Sequence, residues 1–225
     1  MDAVAAHLKD EGIRRLDLGT LHPESFALRG LRALDKWEPT IEPDEVTFEA
    51  ELPGDWEDYL LQLNGKQRHE VRRKLRRLET QGAFAYRMTG PDDDLDKATE
   101  QFLRLFQLNR QDKAEFMNDT MAAYFRALIA ALAEQQMLRL FFLEVAGEAA
   151  ATVLCFDYGR VRYLYNSGYD AHYHDLSVGV LSKLLSIRTG IEAGCRRYDF
   201  LKGAEVYKKR IGGREVPLFR CKTEL

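Results

Sequence analysis

The segment from Leu138 to Leu201 limits the possible folds more than any other part of the chain. LRLFFLEV (138–145), AAATVLCF (149–156) and VRYLYNSG (161–168) are apolar, β-branched and aromatic runs, separated by turns at Ala146-Gly147-Glu148 and Asp157-Tyr158-Gly159. Runs of this length joined by tight glycine-containing turns predict three antiparallel strands in a meander. A loop at 169–176 leads into one helix, with Ser177 placed as N-cap, a buried face made by Val180, Leu181, Leu184, Leu185, Ile187 and Ile191, and Gly194 as its stop. The strand pattern resumes at Arg197 to Leu201, and PLFRCKTEL (217–225) offers a last short strand. A single helix after a meander has to return across the sheet, so the expected class is α+β with that helix as the crossover.

Upstream the pattern is helical from Asp55, with Trp56, Tyr59, Leu60 and Leu63 on one face. Asn64 and Gln67 have the spacing of a capping box, Val71, Leu75 and Leu78 form a narrow apolar stripe, and Gly82 supplies a stop. A strand is expected at Phe84 to Met88, then helices around Leu95 to Arg110 and Thr120 to Gln136. Residues 54–225 are read as one domain. Residues 1–53 read as helix, short strand (Ile13 to Leu18), helix, proline-bearing loop and an edge strand carrying Val46, Phe48 and Ala50. They hold too few apolar positions for a core of their own, so they are expected to pack on the rest or to be the remnant of a first lobe.

Composition excludes several classes. With 45% hydrophobic and 31% charged residues in 225, the chain is expected to be globular rather than disordered. A net charge of −3 excludes a protein that binds nucleic acid through its overall charge. Three cysteines with no paired metal-ligand spacing point to a reduced, cytoplasmic setting. No stretch approaches the ~18 apolar residues of a spanning helix, and MDAVAAHLKDEGIRRLDL has no apolar signal region, so neither membrane insertion nor secretion is expected.

Several segments form a recognisable set: NGKxR (64–68) leading into VRRKLRRLE, LEVAGEAAATVLCFDYG (143–159), YLYNSGYD (163–170), SVGVL (177–181), and YDFLKGAEVYK (198–208) followed by Ile211-Gly212. In this order, from about Trp56 onward, they resemble the CelD/BcsL branch of the GNAT acyltransferase superfamily, which is itself similar to FemAB-type transferases. The D-F-x-x-G-x-E-x-Y-K run is the most specific part. Two features depart from the pattern: such proteins usually carry two GNAT-like lobes, and the helix start often reads Ser-Pro-Gly where this chain has Ser177-Val178-Gly179.

The resemblance implies a GNAT-like mixed sheet whose groove opens where the last meander strand splays from the strand after the helix. It implies acetyl-CoA or another acyl-CoA as donor, with no metal or redox cofactor. The donor's pyrophosphate would lie at Ser177, Val178, Gly179, Val180 and Leu181, where unpaired N–H groups and the helix dipole suit an anion and Gly179 permits close approach. It further implies an acceptor carrying an amine or hydroxyl, such as a sugar, polysaccharide precursor or small molecule, contacted by Arg110, Lys113, Tyr169 and Asp170. Lys208 matches a lysine held to lie at the active site of FemAB-type enzymes. Two alternatives stand beside this: aminoacyl transfer from tRNA to a cell-wall precursor, the one case in which nucleic acid is a partner, and a noncatalytic GNAT-derived binding domain.

In a strand ending at Gly203, Arg197, Asp199 and Leu201 share one face and Tyr198 and Phe200 the other. The chain then leaves the sheet and delivers Glu205, Tyr207 and Lys208 to the groove, Glu205 as candidate base and Lys208 as candidate oxyanion partner. The plain alternative is a solvated charge run through Lys209 and Arg210. Asp199 reads as structural, paired with a neighbouring arginine. The basic helix at 66–79 reads either as a solvated amphipathic helix or as a site for an anionic partner. His172 and His174 lack a third ligand and make no metal motif.

Overall fold

Residues 2–33, 39–80, 82–108 and 117–224 are described in the computed structural model. In chain order they form α1 (Asp2–Asp10), β1 (Arg15–Leu21), α2 (Phe26–Arg32), β2 (Thr40–Glu51), α3 (Trp56–Gln62), α4 (Gly65–Thr80), β3 (Phe84–Met88), α5 (Leu95–Leu108) and α6 (Asp119–Glu134). The second half adds β4 (Leu138–Val145), β5 (Glu148–Tyr158), β6 (Val161–Tyr169), a 3-10 helix (Ala171–Leu176), α7 (Val178–Glu192), β7 (Arg197–Lys202), α8 (Val206–Arg210) and β8 (Arg214–Glu224). All the strands lie in one eight-stranded sheet ordered β1-β8-β2-β7-β6-β5-β4-β3. Its neighbours are antiparallel except β6 and β7, which run parallel because α7 crosses over between them.

The meander is where the sequence puts it, and its turns have a physical cause. Ala146 and Gly147 both have positive φ (52° and 83°), the backbone of a two-residue turn whose twist suits a hairpin. The second turn sits one residue later than expected, on Gly159 and Arg160 (φ 57° and 63°), because β5 continues through Tyr158. The Asn64–Gln67 capping box forms in full: Gln67 N donates to Asn64 Oδ1 at 2.9 Å and Asn64 N to Gln67 Oε1 at 3.1 Å.

The expected edge position of the Val46–Ala50 strand is corrected by the structure. β2 lies inside the sheet, hydrogen-bonded to β8 on one side and β7 on the other, and Pro43 is accommodated at a bulge between Pro43 and Val46. Its apolar residues point to one face, where Phe48 and Ala50 join Tyr198, Val153, Leu181 and Leu184 in the core beneath α3, α4 and α7. On the opposite face α5 and α6 pack Phe102, Phe106, Phe125 and Ile129 onto Leu140, Phe142 and Leu154. By alternation Thr47 and Glu49 on β2 and Asp199 on β7 belong to this second face.

Candidate active site

Parallel pairing between β6 and β7 runs only through Val161↔Arg197, Arg162↔Tyr198 and Tyr163↔Asp199. Beyond that rung the strands separate, and two irregularities explain why. In β6 one residue, Tyr165, is extra against β5, since Leu164 faces Cys155 and Asn166 faces Leu154. In β7 the register against β2 slips between Asp199 and Lys202, and Leu201 takes φ 57°. A groove of about 1460 Å³ opens through this gap. Its lining includes Ser177 to Val180 and Tyr207 on the α7 side of the sheet, and Tyr163, Glu49, Asp199 and His22 on the other.

At the α7 end Ser177 has a left-handed backbone (φ 56°, ψ 31°) and its hydroxyl caps no backbone N–H, contrary to the expected N-cap. Instead Ser177 Oγ accepts from Lys74 Nζ at 2.7 Å, which brings α4 to the mouth of the groove. The N–H groups of Val180 and Leu181 both donate to the Ser177 carbonyl at 3.0 Å, so among the described residues only those of Val178 and Gly179 lack an acceptor at this helix start. Leu181 is fully buried in the core and is not part of the groove lining, whereas Val178, equally enclosed, borders the groove. Gly179 is explained by its neighbour: a Cβ there would lie 2.7 Å from the Tyr169 ring, so the space left by the missing side chain is filled by protein. Asp170 accepts from His172 N at 2.9 Å and thus caps the 3-10 helix. Arg110 and Lys113 lie outside the described residues. The sequence did not single out Lys183, whose buried ammonium donates to Gly179 O at 2.7 Å and sits 5.0 Å from the centre of the Tyr207 ring.

The segment after Gly203 is a short helix rather than a turn. Lys208, only 2% exposed, donates to the carbonyls of Leu201, Lys202 and Gly203 at 2.9, 2.9 and 3.0 Å, and its Nζ lies 2.9 Å from Glu205 Oε2. An ammonium has three protons, so all three are engaged in holding the strand exit. Tyr207 lines the groove, and burial, with Glu205 adding to it, pushes its hydroxyl well above the usual tyrosine range. Lys209 points away and pairs with Glu215 at 3.0 Å.

On the other face three polar residues lie side by side at the point of separation: Glu49 is the cross-strand partner of Asp199, and Asp199 of Tyr163. The arginine partner expected for Asp199 is not the one it has. Asp199 is 8% exposed, and its Oδ1 accepts from Thr47 Oγ1 and from Leu201 N, both at 2.8 Å. Arg197 turns to Glu49 at 3.2 Å and Glu24 at 3.5 Å instead. His22 Nδ1 accepts from Glu24 N at 3.1 Å, which leaves its Nε2 facing Glu49 Oε1 at 3.1 Å but out of line for a hydrogen bond. Burial raises the Glu49 carboxyl above its ordinary value, with Asp199 and Glu24 adding to the rise and Arg197 and His22 opposing it. Tyr163 is raised by burial and by Asp199, and Tyr165, hydrogen-bonded to Tyr124 at 2.7 Å, is pushed up to about 12.

The basic helix is partly tied down: Arg72 pairs with Glu57 and Arg73 with Glu70, at 2.7 and 2.8 Å. Among the described residues no group of three or more metal-ligating side chains forms, and no helix is long and apolar enough to cross a membrane.

Known structures share this fold. The chain is similar in fold to FemX (TM-score 0.73, 12% identity, 98% of this chain and 74% of that one). It is similar to the C-terminal domain of an Agrobacterium fabrum protein described as a lysylphosphatidylglycerol synthetase (TM-score 0.64, 13% identity, 98% and 72% covered). It also resembles L-PGS from Bacillus licheniformis (TM-score 0.63, 11% identity, 98% and 71% covered). No curated protein matches the chain. The family model of the acetyltransferase (GNAT) domain matches residues 65–209, well over half of the sequence and the whole stretch that carries the splayed strands and the α7 start, and the chain belongs to that family.

Proposed function

We propose that this protein transfers an acyl group, acetyl or another, from an acyl-CoA thioester to an amine or hydroxyl of a sugar, polysaccharide precursor or other small acceptor, as in the CelD/BcsL branch that its motifs resemble. The observation that carries this reading is the end of β6–β7 pairing at Tyr163↔Asp199, which opens one groove to both faces of the sheet. On the α7 face the free N–H groups of Val178 and Gly179, the helix dipole and the nearby Lys74 ammonium favour the donor's pyrophosphate. An extended thioester arm laid in the gap would add to the exposed strand edge, and the acceptor would approach from the Glu49–Asp199–Tyr163 face. Tyr207, held against Lys183, borders the gap and is placed to protonate the departing thiolate. Lys208 and Glu205 serve this site by fixing the course of the chain where β7 leaves the sheet.

Calorimetric titration with acetyl-CoA tests the reading. The expected result is saturable binding in the micromolar range, lost when bulk is added at Val180. Absence of binding up to millimolar donor would remove it.

Aminoacyl transfer is the second reading, favoured by the likeness to FemX and to the lysylphosphatidylglycerol synthetase domain and by the basic α4. Sub-micromolar tRNA binding that weakens steeply with salt would put it first.

A further inference from the structure

We propose that Asp199 and Glu49 act as a carboxylate pair that takes the proton from an acceptor ammonium, with Asp199 Oδ2 as the oxygen facing the substrate and the segment before residue 54 therefore part of the catalytic machinery. This rests on the acyl-CoA reading and adds to it an acceptor class and a base.

The argument starts from the two carboxylates. Asp199 is more than nine-tenths buried and lines the groove, yet only one of its oxygens is used: Oδ1 takes both Thr47 Oγ1 and Leu201 N, and among the described residues Oδ2 has no hydrogen-bond donor. Oδ2 is not one of the buried atoms left without a partner, as Glu49 Oε1 is, so it is open to the groove and free to meet a substrate group. It sits on the last rung before the strands part, next to the gap where an acyl carbon would lie. Glu49 is its cross-strand neighbour on the same face, so two like charges share one site and a proton taken up by one is stabilised by the other. Behind Glu49, His22 Nε2 and Glu49 Oε1 are both buried and 3.1 Å apart but out of line; since Nδ1 accepts from Glu24 N, Nε2 carries the imidazole hydrogen, and a small turn of either side chain would let it donate to the Glu49 carboxylate.

The charged and titratable groups facing the pair are His22 and Glu24 from the β1–α2 connection, Tyr163 on β6, Arg197 on β7 and Arg214, the cross-strand partner of Glu49 on β8. Lys183, Lys202 and Lys208 balance the acids over the groove lining as a whole, but around the Glu49–Asp199 rung Glu24, Glu49 and Asp199 are set against Arg197, and this local excess of carboxylate favours a cation there over a neutral hydroxyl. The step balances without further reagents. The acceptor R–NH3+ gives one proton to the pair; the freed lone pair forms the C–N bond at the acyl carbon; the C–S bond breaks with its electrons leaving on sulfur. A second proton leaves the nitrogen as the amide forms, matched by the one the thiolate takes up.

His22 and Glu49 lie outside residues 65–209, the part that the family model covers. The pair is thus assembled from a β7 residue inside that part and a β2 residue outside it.

The test follows thiol release from acetyl-CoA with ethanolamine, glucosamine and benzylamine as probes, between pH 5.5 and 9, for the full chain and for Asp199→Asn and Glu49→Gln. Asp199→Asn keeps the acceptor for Thr47 and Leu201. It is expected to lower kcat ~100-fold or more at unchanged acetyl-CoA affinity. Glu49→Gln is expected to lower kcat ~10-fold and to move the acidic limb of the pH profile to lower pH, because the pair loses the Glu49 carboxyl, whose hold on a proton is raised by burial. A merely structural Glu49 would leave that limb in place. Should Asp199→Asn fail to fold, the Glu49→Gln profile decides alone. Asp199→Asn turning over at more than about a third of the parent rate, or an unmoved limb in Glu49→Gln, overturns the pair while leaving acyl-CoA transfer intact. Binding of acetyl-CoA without thiol release to any amine overturns the amine class. Failure to bind acetyl-CoA removes the donor reading and the pair with it.

Discussion

Tyr163 and Asp199 are the last residues that β6 and β7 hold opposite each other, and the groove opens where the strands part beyond them. The β6 lip of the gap is fixed from behind. A Cβ on Gly168 would come within 2.5 Å of the backbone of Leu105 and Phe106, so α5 rests directly on the strand. Backbone cannot rotate away as a side chain can. Gly168→Ala is expected to cost about 3 kcal/mol or more and to lower Tm by about 6–12 °C. A melt within about 2 °C of the parent would show that α5 and β6 are free to separate.

Lys208 gives a second stability prediction that the sequence did not anticipate. The motif pointed to a reacting lysine whose loss leaves the fold intact, whereas the structure engages its three protons with the carbonyls of Leu201, Lys202 and Gly203. Lys208→Met should therefore lower stability by about 3 kcal/mol, since buried carbonyls lose their donor. Lys209→Ala, which removes an exposed pair with Glu215, should change it by about 0.5 kcal/mol at most. Denaturant melts of both variants decide it. Equal stability of the two would mean that the three hydrogen bonds of Lys208 do not hold the strand exit.

The meander, the crossover and both ends of α4 could be read from the sequence because each rests on local rules: alternation, paired positive-φ turn residues, and a box closed within four residues. The site was harder for a physical reason. Asp199, Glu49 and Tyr163 come from three strands and meet only through cross-strand register, which no local pattern encodes. On β2, Thr47 and Glu49 read as the solvent face of an edge strand. Their burial follows from β8 returning to cover the outer edge, a contact between residues more than 160 apart in sequence. Arg162 is hidden for a similar reason: it reads as a surface position on a strand, yet it is 1% exposed and held by Asp157, Ser186 O and Thr189. The groove's α7 side was legible in place through SVGVL, but not in detail, since Ser177 turns its hydroxyl to Lys74 on another helix.

Lys74 carries the next prediction. Its ammonium reaches the α7 start at the Ser177 hydroxyl, 2.7 Å away, and its anionic neighbour, Glu70, is more distant at 3.5 Å. A cation there adds to the field of the helix N-terminus. Lys74→Met is expected to weaken acetyl-CoA about tenfold in calorimetry, with a shallower dependence on salt and little change in Tm. Unchanged affinity would mean that the donor's phosphates lie elsewhere.

Glu49 yields a prediction in which stability and activity move in opposite directions. Its carboxyl is raised above the ordinary glutamate value of 4.5 in the folded protein, chiefly by burial and further by Asp199. The sign is therefore the reverse of the usual carboxylate case. Between the ordinary value and the raised one the folded chain binds more protons than the unfolded chain, so this group's contribution to stability falls as pH rises through that window. Above the window the full penalty of keeping a desolvated charge is present; below it, none is. Glu49→Gln carries no such penalty and keeps most of the shape. The difference in Tm between Glu49→Gln and the parent should therefore grow in favour of the variant as pH is taken from 4 to 8, even as the variant transfers acyl groups more slowly. Arg197 limits the gain, because it loses one of its two carboxylate partners and retains Glu24. Thermal melts of both proteins at four pH values across that range measure the difference directly. A difference that is flat with pH, or that moves toward the parent as pH rises, would mean that Arg197 and His22 fully compensate the charge and that Glu49 is an ordinary ion-pair residue.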